Sequence, residues 1–144
     1  MTILTLSLIL IIFTVSGFAV DMMRYDHERA RLQYSLDRAV LAAADLQQDL
    51  CPKDVVQDYL VKENLDKFLD GEVKVTPKSC DDDGNKLIVG QRRVEASATM
   101  PVGMHFMQWW DVDSIDVNVV SVAEESIGNV EIAMVLDVSG SMRG

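Results

Sequence analysis

Asp137, Ser139 and Ser141 stand at alternate positions in the sequence, and one carboxylate with two hydroxyls is a set of hard oxygen ligands. Such a set suits Mg²⁺ or Mn²⁺ that keeps several of its waters. The three residues follow Ile132 to Leu136, a continuous apolar run of the kind that forms a strand buried on both faces of a parallel sheet. Open α/β folds hold ligands at the carboxyl ends of such strands. Neither serine has a histidine placed in sequence to act as its base, and no glycine-rich phosphate loop occurs, so the pattern points to ligation or an ordinary loop rather than to nucleophilic catalysis.

The other chemistry in the sequence is sulfur. Cys51 and Cys80 are its two cysteines, and an even count behind a membrane segment is expected to form one disulfide in an oxidising compartment. Two unpaired thiols are the alternative. A zinc shell is a poorer fit, because two cysteines without a nearby histidine pair cannot close a tetrahedron. Asp81, Asp82 and Asp83 before Gly84 lack the alternate oxygen ligands and the later glutamate of a calcium loop, and read as a solvated turn. His27 and His105 are isolated and belong to no ligand set.

These groups must be positioned by a chain that begins with an uncharged, largely apolar stretch from Thr2 to Val20 and has no glycine or proline between Gly17 and Pro52. At about 1.5 Å per residue the uncharged part reaches roughly 30 Å, one hydrocarbon thickness. A cleaved signal peptide could be cut near Gly17, Phe18 and Ala19, but no Lys or Arg precedes Arg24, and a retained helix fits better. Arg24, Arg29 and Arg31 follow the segment, where the positive-inside rule would place the cytoplasm; the expectation is that Met1 is not the natural start or that basic residues normally precede it. Leu32, Leu36, Ala39, Ala43, Leu46 and Leu50 then recur at steps of three and four, an apolar seam whose alanines at 42 to 44 allow close approach. The seam packs on the chain's own sheet, the reading taken here, or on a neighbour.

Pro52 suits the first position of a second helical stretch, which runs from Lys53 to Leu69 with Asn64 dividing it and Gly71 after its end. From Glu72 the apolar period falls to two: Val73 and Val75, then Leu87 to Val89 after the aspartate turn, then Val94, Ala96, Ala98 and Met100, and finally Ile115, Val117 and Val119 running on to Ala123. Between the last two lies MHFMQWW, residues 104 to 110, which either closes the end of the sheet or rests on a headgroup region or a partner. The expected fold is α+β, with a transmembrane helix over 1–21 continuing into an amphipathic stalk helix over 22–50. A small domain over 51–126 carries the second helix and a small antiparallel sheet, and 127–144 hold one further strand. The 144 residues leave room for one modest core besides the anchor, and a net charge of −10 excludes nucleic acid as a partner, since no basic face is available to displace counterions.

Two stretches resemble known families. The DVSGSM run of Asp137 to Met142 resembles the DxSxS motif of the metal ion-dependent adhesion site in von Willebrand factor A domains. The head, GFAVDMMRYDHERARLQYSLDRAVLAAADL, is similar to the amino-terminal region of TadE/TadG-type Flp (tight adherence) pilus assembly proteins, in Val20 and Asp21, Leu32 and Gln33, and Ala42 to Ala44. TadG-like proteins often carry an A domain after this head. The resemblance implies a membrane-anchored, non-catalytic component of pilus assembly or surface attachment, single-pass in the bacterial inner membrane, with the following domain periplasmic or extracellular. It implies the membrane and other pilus assembly proteins as partners. In the A domain family a threonine and an aspartate from later loops complete the metal site. Residues 127–144 are accordingly expected to be the start of an incomplete A domain that binds no cofactor, Mg²⁺ or Mn²⁺ entering only where the domain is whole. The alternative that the resemblance allows is a tethered metal-dependent adhesin.

Overall fold

Residues Thr2–Ala44 form one unbroken helix, α1, in the computed structural model, which describes residues 1–80 and 89–128. With 43 residues it is roughly 65 Å long, about twice a hydrocarbon core. Up to Ser16 it is apolar and, apart from half-buried Thr14, exposed all round, as a lipid-facing helix is. Three of the hydroxyls there donate internally, Thr5 to the Thr2 carbonyl at 2.9 Å, Ser7 to Leu4 at 2.9 Å and Thr14 to Ile11 at 2.8 Å, so these three need no water. The second half turns amphipathic and buries Leu32, Leu36, Ala39, Val40 and Ala43 completely.

What these residues meet is a three-stranded antiparallel sheet in the order β1 (Lys74–Thr76), β2 (Gln91–Gly103), β3 (Ser114–Ser126). Strict alternation along β2 and β3 turns Val94, Ala96, Ala98, Met100 and Val102, with Val117, Val119 and Ala123, towards the helices. The outer face is mainly polar, with Val120 and Val122 also exposed on it, and its charges support the register: Arg93 lies opposite Glu124 with 3.5 Å between them, and Lys74 opposite Glu95 at 3.7 Å. The β2–β3 hairpin runs the length of the lower layer, from the level of Ala44 back to that of Asp21. The apolar seam of α1 therefore packs on the chain's own sheet, with Val55, Val56 and Leu60 of a second helix, α2 (Pro52–Lys62), completing the core.

Local signals placed most of these boundaries. Pro52 begins α2, with Asp54 in its first turn and Lys62 in its last, both favourable to the helix dipole. Asn64, at φ 58°, ends the helical stretch as its central position suggested, and a short 3₁₀ turn, Asp66–Phe68, takes over from there. Cys51 and Cys80 are joined in a disulfide with 6.0 Å between their Cα atoms, which ties the start of α2 to the segment after β1. Closing a loop of 29 residues contributes roughly 3–4 kcal/mol by restricting the unfolded chain. Beside the bridge, a hydrogen bond from Lys53 holds the Glu72 carboxyl below the usual carboxylate range. Both side chains are exposed, so that pair adds little to stability.

One boundary differs from the sequence expectation: α1 ends at Ala44, not at Leu50. The cause is Arg92, only 1% exposed, which the alternation of β2 points inward with Val94 and Ala96. Its Nη1 donates to the carbonyls of Ala43 at 3.3 Å and Asp45 at 2.6 Å, and its Nε donates to Ser79 Oγ at 3.1 Å. A buried cation at the negative end of a helix satisfies carbonyls that would otherwise continue the helical ladder. The chain leaves the helix there, with the Leu46 amide donating to Glu125 Oε2 at 2.7 Å, and Leu50 ends up exposed. The turn expected over Asp81 to Gly84, Leu87 and Ile88 of the strand expected over Leu87 to Val89, and the run Ile132 to Leu136 lie outside the described residues, while Val89 is described and belongs to no strand.

Arg92→Ala removes the only side chain donating to these two carbonyls among the described residues. It is expected to lower the unfolding free energy by about 3 kcal/mol or more, at roughly 1.5–3 kcal/mol per charge-assisted hydrogen bond, with Arg92→Lys recovering part of the loss. Denaturant unfolding of the full chain in detergent micelles measures this.

Candidate functional site

Midway along α1, where its apolar half meets the domain, the helix carries a carboxylate. Asp21 is fully buried, a placement that is unfavourable for a charged group unless hydrogen bonds replace its water. Three successive backbone amides do so: His105 donates to Oδ1 at 3.0 Å, and Phe106 and Met107 donate to Oδ2 at 2.7 and 2.8 Å. All three belong to the connection between β2 and β3, so an acid on the membrane helix is bonded to the tip of the sheet.

The connection is shaped to present those amides. Met104, fully buried, donates its own amide to the Asp113 carbonyl at 2.8 Å and closes the hairpin. A short 3₁₀ turn, Met107–Trp110, follows, and Asp111 ends it in the left-handed conformation at φ 65°, with its amide donating to the Gln108 carbonyl at 3.0 Å. We call this the aromatic turn. The MHFMQWW patch is thereby divided. Met104 enters the core and Met107 packs against it, whereas Trp109 is 83% and Trp110 60% exposed.

Phe106 takes a third role. One helical turn before Asp21, on the same face of α1, Gly17 receives its ring: a Cβ placed on Gly17 would lie 2.5 Å from Phe106 Cδ1 and 2.7 Å from Cγ. Only the absence of a side chain lets the ring lie against the helix backbone. Tyr25, one turn after Asp21, packs against the core and continues the same line. Further along, Gln33 Nε2 donates to Asp37 Oδ1 at 2.7 Å and reaches the Val120 carbonyl of β3 at 3.4 Å. The helix is thus held to the sheet by Asp21 at one end, by its seam and Gln33 in the middle, and by Arg92 at the other.

The residues singled out in the sequence for chemistry fall differently. Cys51 and Cys80 are brought together, far from this junction, at the opposite end of the hairpin. Asp137, Ser139 and Ser141 lie outside the described residues. Among the described residues no group of three or more His, Cys, Asp or Glu side chains converges as a metal would require, and His27 and His105 stay apart from any such set. Gly17, Asp21 and Phe106 as a unit were not foreseen. A signal was present nonetheless: a carboxylate at the end of an apolar span, once buried, must find a partner, and an aromatic-rich loop at a hairpin tip was a candidate to supply it.

Residues 1–46 match the model of the Flp pilus-assembly TadE/G-like family, a segment that coincides with α1. No curated protein and no solved structure matches the chain. Most landmarks of that head have a physical task in the fold, Val20 being exposed. Asp21 takes the amides of the aromatic turn, Leu32 is fully buried, Gln33 bonds to β3, and Ala43 and Ala44 are buried beside Arg92.

Two outcomes follow from this geometry. Asp21→Ala should speed hydrogen exchange at the His105, Phe106 and Met107 amides by roughly tenfold or more, while β2 and β3 amides near Val94 and Ala123 keep their protection. Gly17→Val forces the Phe106 ring away and should destabilise the domain by about 1–3 kcal/mol, a penalty that Phe106→Ala in the same chain largely removes. A double-mutant cycle by denaturant unfolding checks that coupling.

Proposed function

We propose that the chain is a single-pass, membrane-anchored, non-catalytic component of Flp/Tad pilus assembly. Residues 1–21 lie in the bacterial inner membrane, and the domain that starts in the second half of α1 stands in the periplasm. The match of residues 1–46 to the TadE/G-like family supports the pilus role. The length and apolar character of the first half of α1 support the anchor. The Cys51–Cys80 disulfide supports the periplasmic side, since such bridges persist in oxidising compartments and are rare in the cytosol.

The observation that carries the reading is the bond from Asp21 to three amides of the hairpin tip. A simple tether needs only a span and a flexible linker. Here the span continues into the core layer of the domain and is locked at the boundary, so that a displacement or rotation of the helix in the membrane moves the sheet with it. Such rigidity suits a part that must be positioned among other pilus assembly proteins. The buried polar side chains Asp21 and Arg92 are engaged in holding α1, which is the use expected of them in a structural component rather than in a catalyst.

The test is made in a bacterium that builds Flp pili with this chain. Pili should be lost from a strain lacking it and not restored by Asp21→Ala present at normal abundance. In intact cells Cys51 and Cys80 should resist a membrane-permeant maleimide until reductant is added. Normal piliation without the chain would sink the assembly role, and freely reactive thiols would sink the periplasmic placement.

A further inference from the structure

We infer that the aromatic turn is a second membrane contact: Trp109 and Trp110 lie in the headgroup region of the bilayer that α1 crosses, on the domain's side. The inference rests on the anchored reading and goes beyond it, because a span alone does not require the domain to touch lipid.

Three observations lead there. The turn begins at the residues bonded to Asp21, and Phe106 lies against Gly17, inside the apolar segment. At about 1.5 Å per residue, Gly17 is roughly 22 Å and Asp21 roughly 28 Å from Thr2, so the junction falls at the edge of a hydrocarbon core of about 30 Å. The hairpin tip is thereby held against the lipid boundary by its own bonds. Next, the two indoles are among the most exposed large apolar side chains of the domain, at 83% and 60%, and are consecutive in the sequence. Indoles favour such a boundary, where the ring is apolar and the N–H remains hydrated. Last, Met104 to Ser114 contains no lysine or arginine, whereas Asp111 and Asp113 follow the indoles. The contact is therefore aromatic rather than electrostatic, and its lipid is a zwitterionic interface rather than an anionic one. The surface is continuous with the membrane-facing helix, which is what selects lipid over a protein partner as its occupant.

The chain's tryptophan content makes the test direct, because Trp109 and Trp110 are its two tryptophans. The full chain is reconstituted into vesicles of phosphatidylcholine and phosphatidylethanolamine, and its intrinsic fluorescence is followed with lipids brominated close to the headgroup or close to the chain end. Trp109→Phe and Trp110→Phe each leave one indole, and both positions are exposed enough for the variants to fold. The expected result is emission quenched by about half or more by the headgroup-proximal bromines, and less by the deep ones, in at least one single-indole variant. Emission that no brominated lipid quenches overturns the proposal. It does so whether aqueous iodide reaches the indoles, leaving them in solvent, or does not, which reports a protein contact. Flotation of the protein with the vesicles after an alkaline wash tests the anchor separately, so failure of the turn and failure of the span are distinguishable.

Discussion

A carboxylate taken out of water at the end of a membrane helix has to be given hydrogen bonds by something, and here the tip of the β2–β3 hairpin gives Asp21 three. The rest of the architecture follows from that constraint. The tip must lie beside Asp21, so β2 and β3 must run back along α1 to reach it. Their inner faces then have to match the helical seam that begins one turn later at Tyr25 and becomes fully buried at Leu32. Gly17 is part of the same arrangement, because the Phe106 ring occupies the space its side chain would fill.

The far end of α1 answers with the opposite charge. Arg92 is buried against the last carbonyls of the helix, so the half of α1 that carries the domain is fastened at one end by an acid, Asp21, and at the other by a cation. Ser79, which shares Arg92, precedes the bridged Cys80, so that the disulfide, the helix end and the start of β2 form one fixed corner. Between the two ends the contacts are mainly apolar. The fold is a rod with a sheet fastened to half of it, a form suited to carrying the position of the apolar helix into the domain.

Much of this was legible in the residues. The seam from Leu32 to Ala43, the start of α2 at Pro52, the division at Asn64 and the alternation from Val94 to Met100 each correspond to an element or boundary of the fold, and the uncharged run to Val20 lies in the largely exposed first half of α1. They were readable because helix and strand periodicities are local and because proline and a left-handed asparagine act at their own positions. The end of α1 was not. Leu46 and Leu50 continue the helical period, and the residue that stops the helix, Arg92, comes from a strand far away in sequence. Even so, the period of two along β2 puts Arg92 on the inner face, where a cation needs carbonyls.

By itself the sequence determined that the chain has an apolar span running into an amphipathic helix, an α+β domain after it, and a head like those of TadE/G-type proteins. Only the tertiary structure decided what the span is fastened to. Gly17, Asp21 and Phe106 lie in two segments whose meeting depends on the length and register of a hairpin, and no local pattern encodes a contact across that separation. The same holds for the indoles, since MHFMQWW reads equally as core or as surface. The turn sends Met104 inward and Trp109 and Trp110 outward because its amides face Asp21.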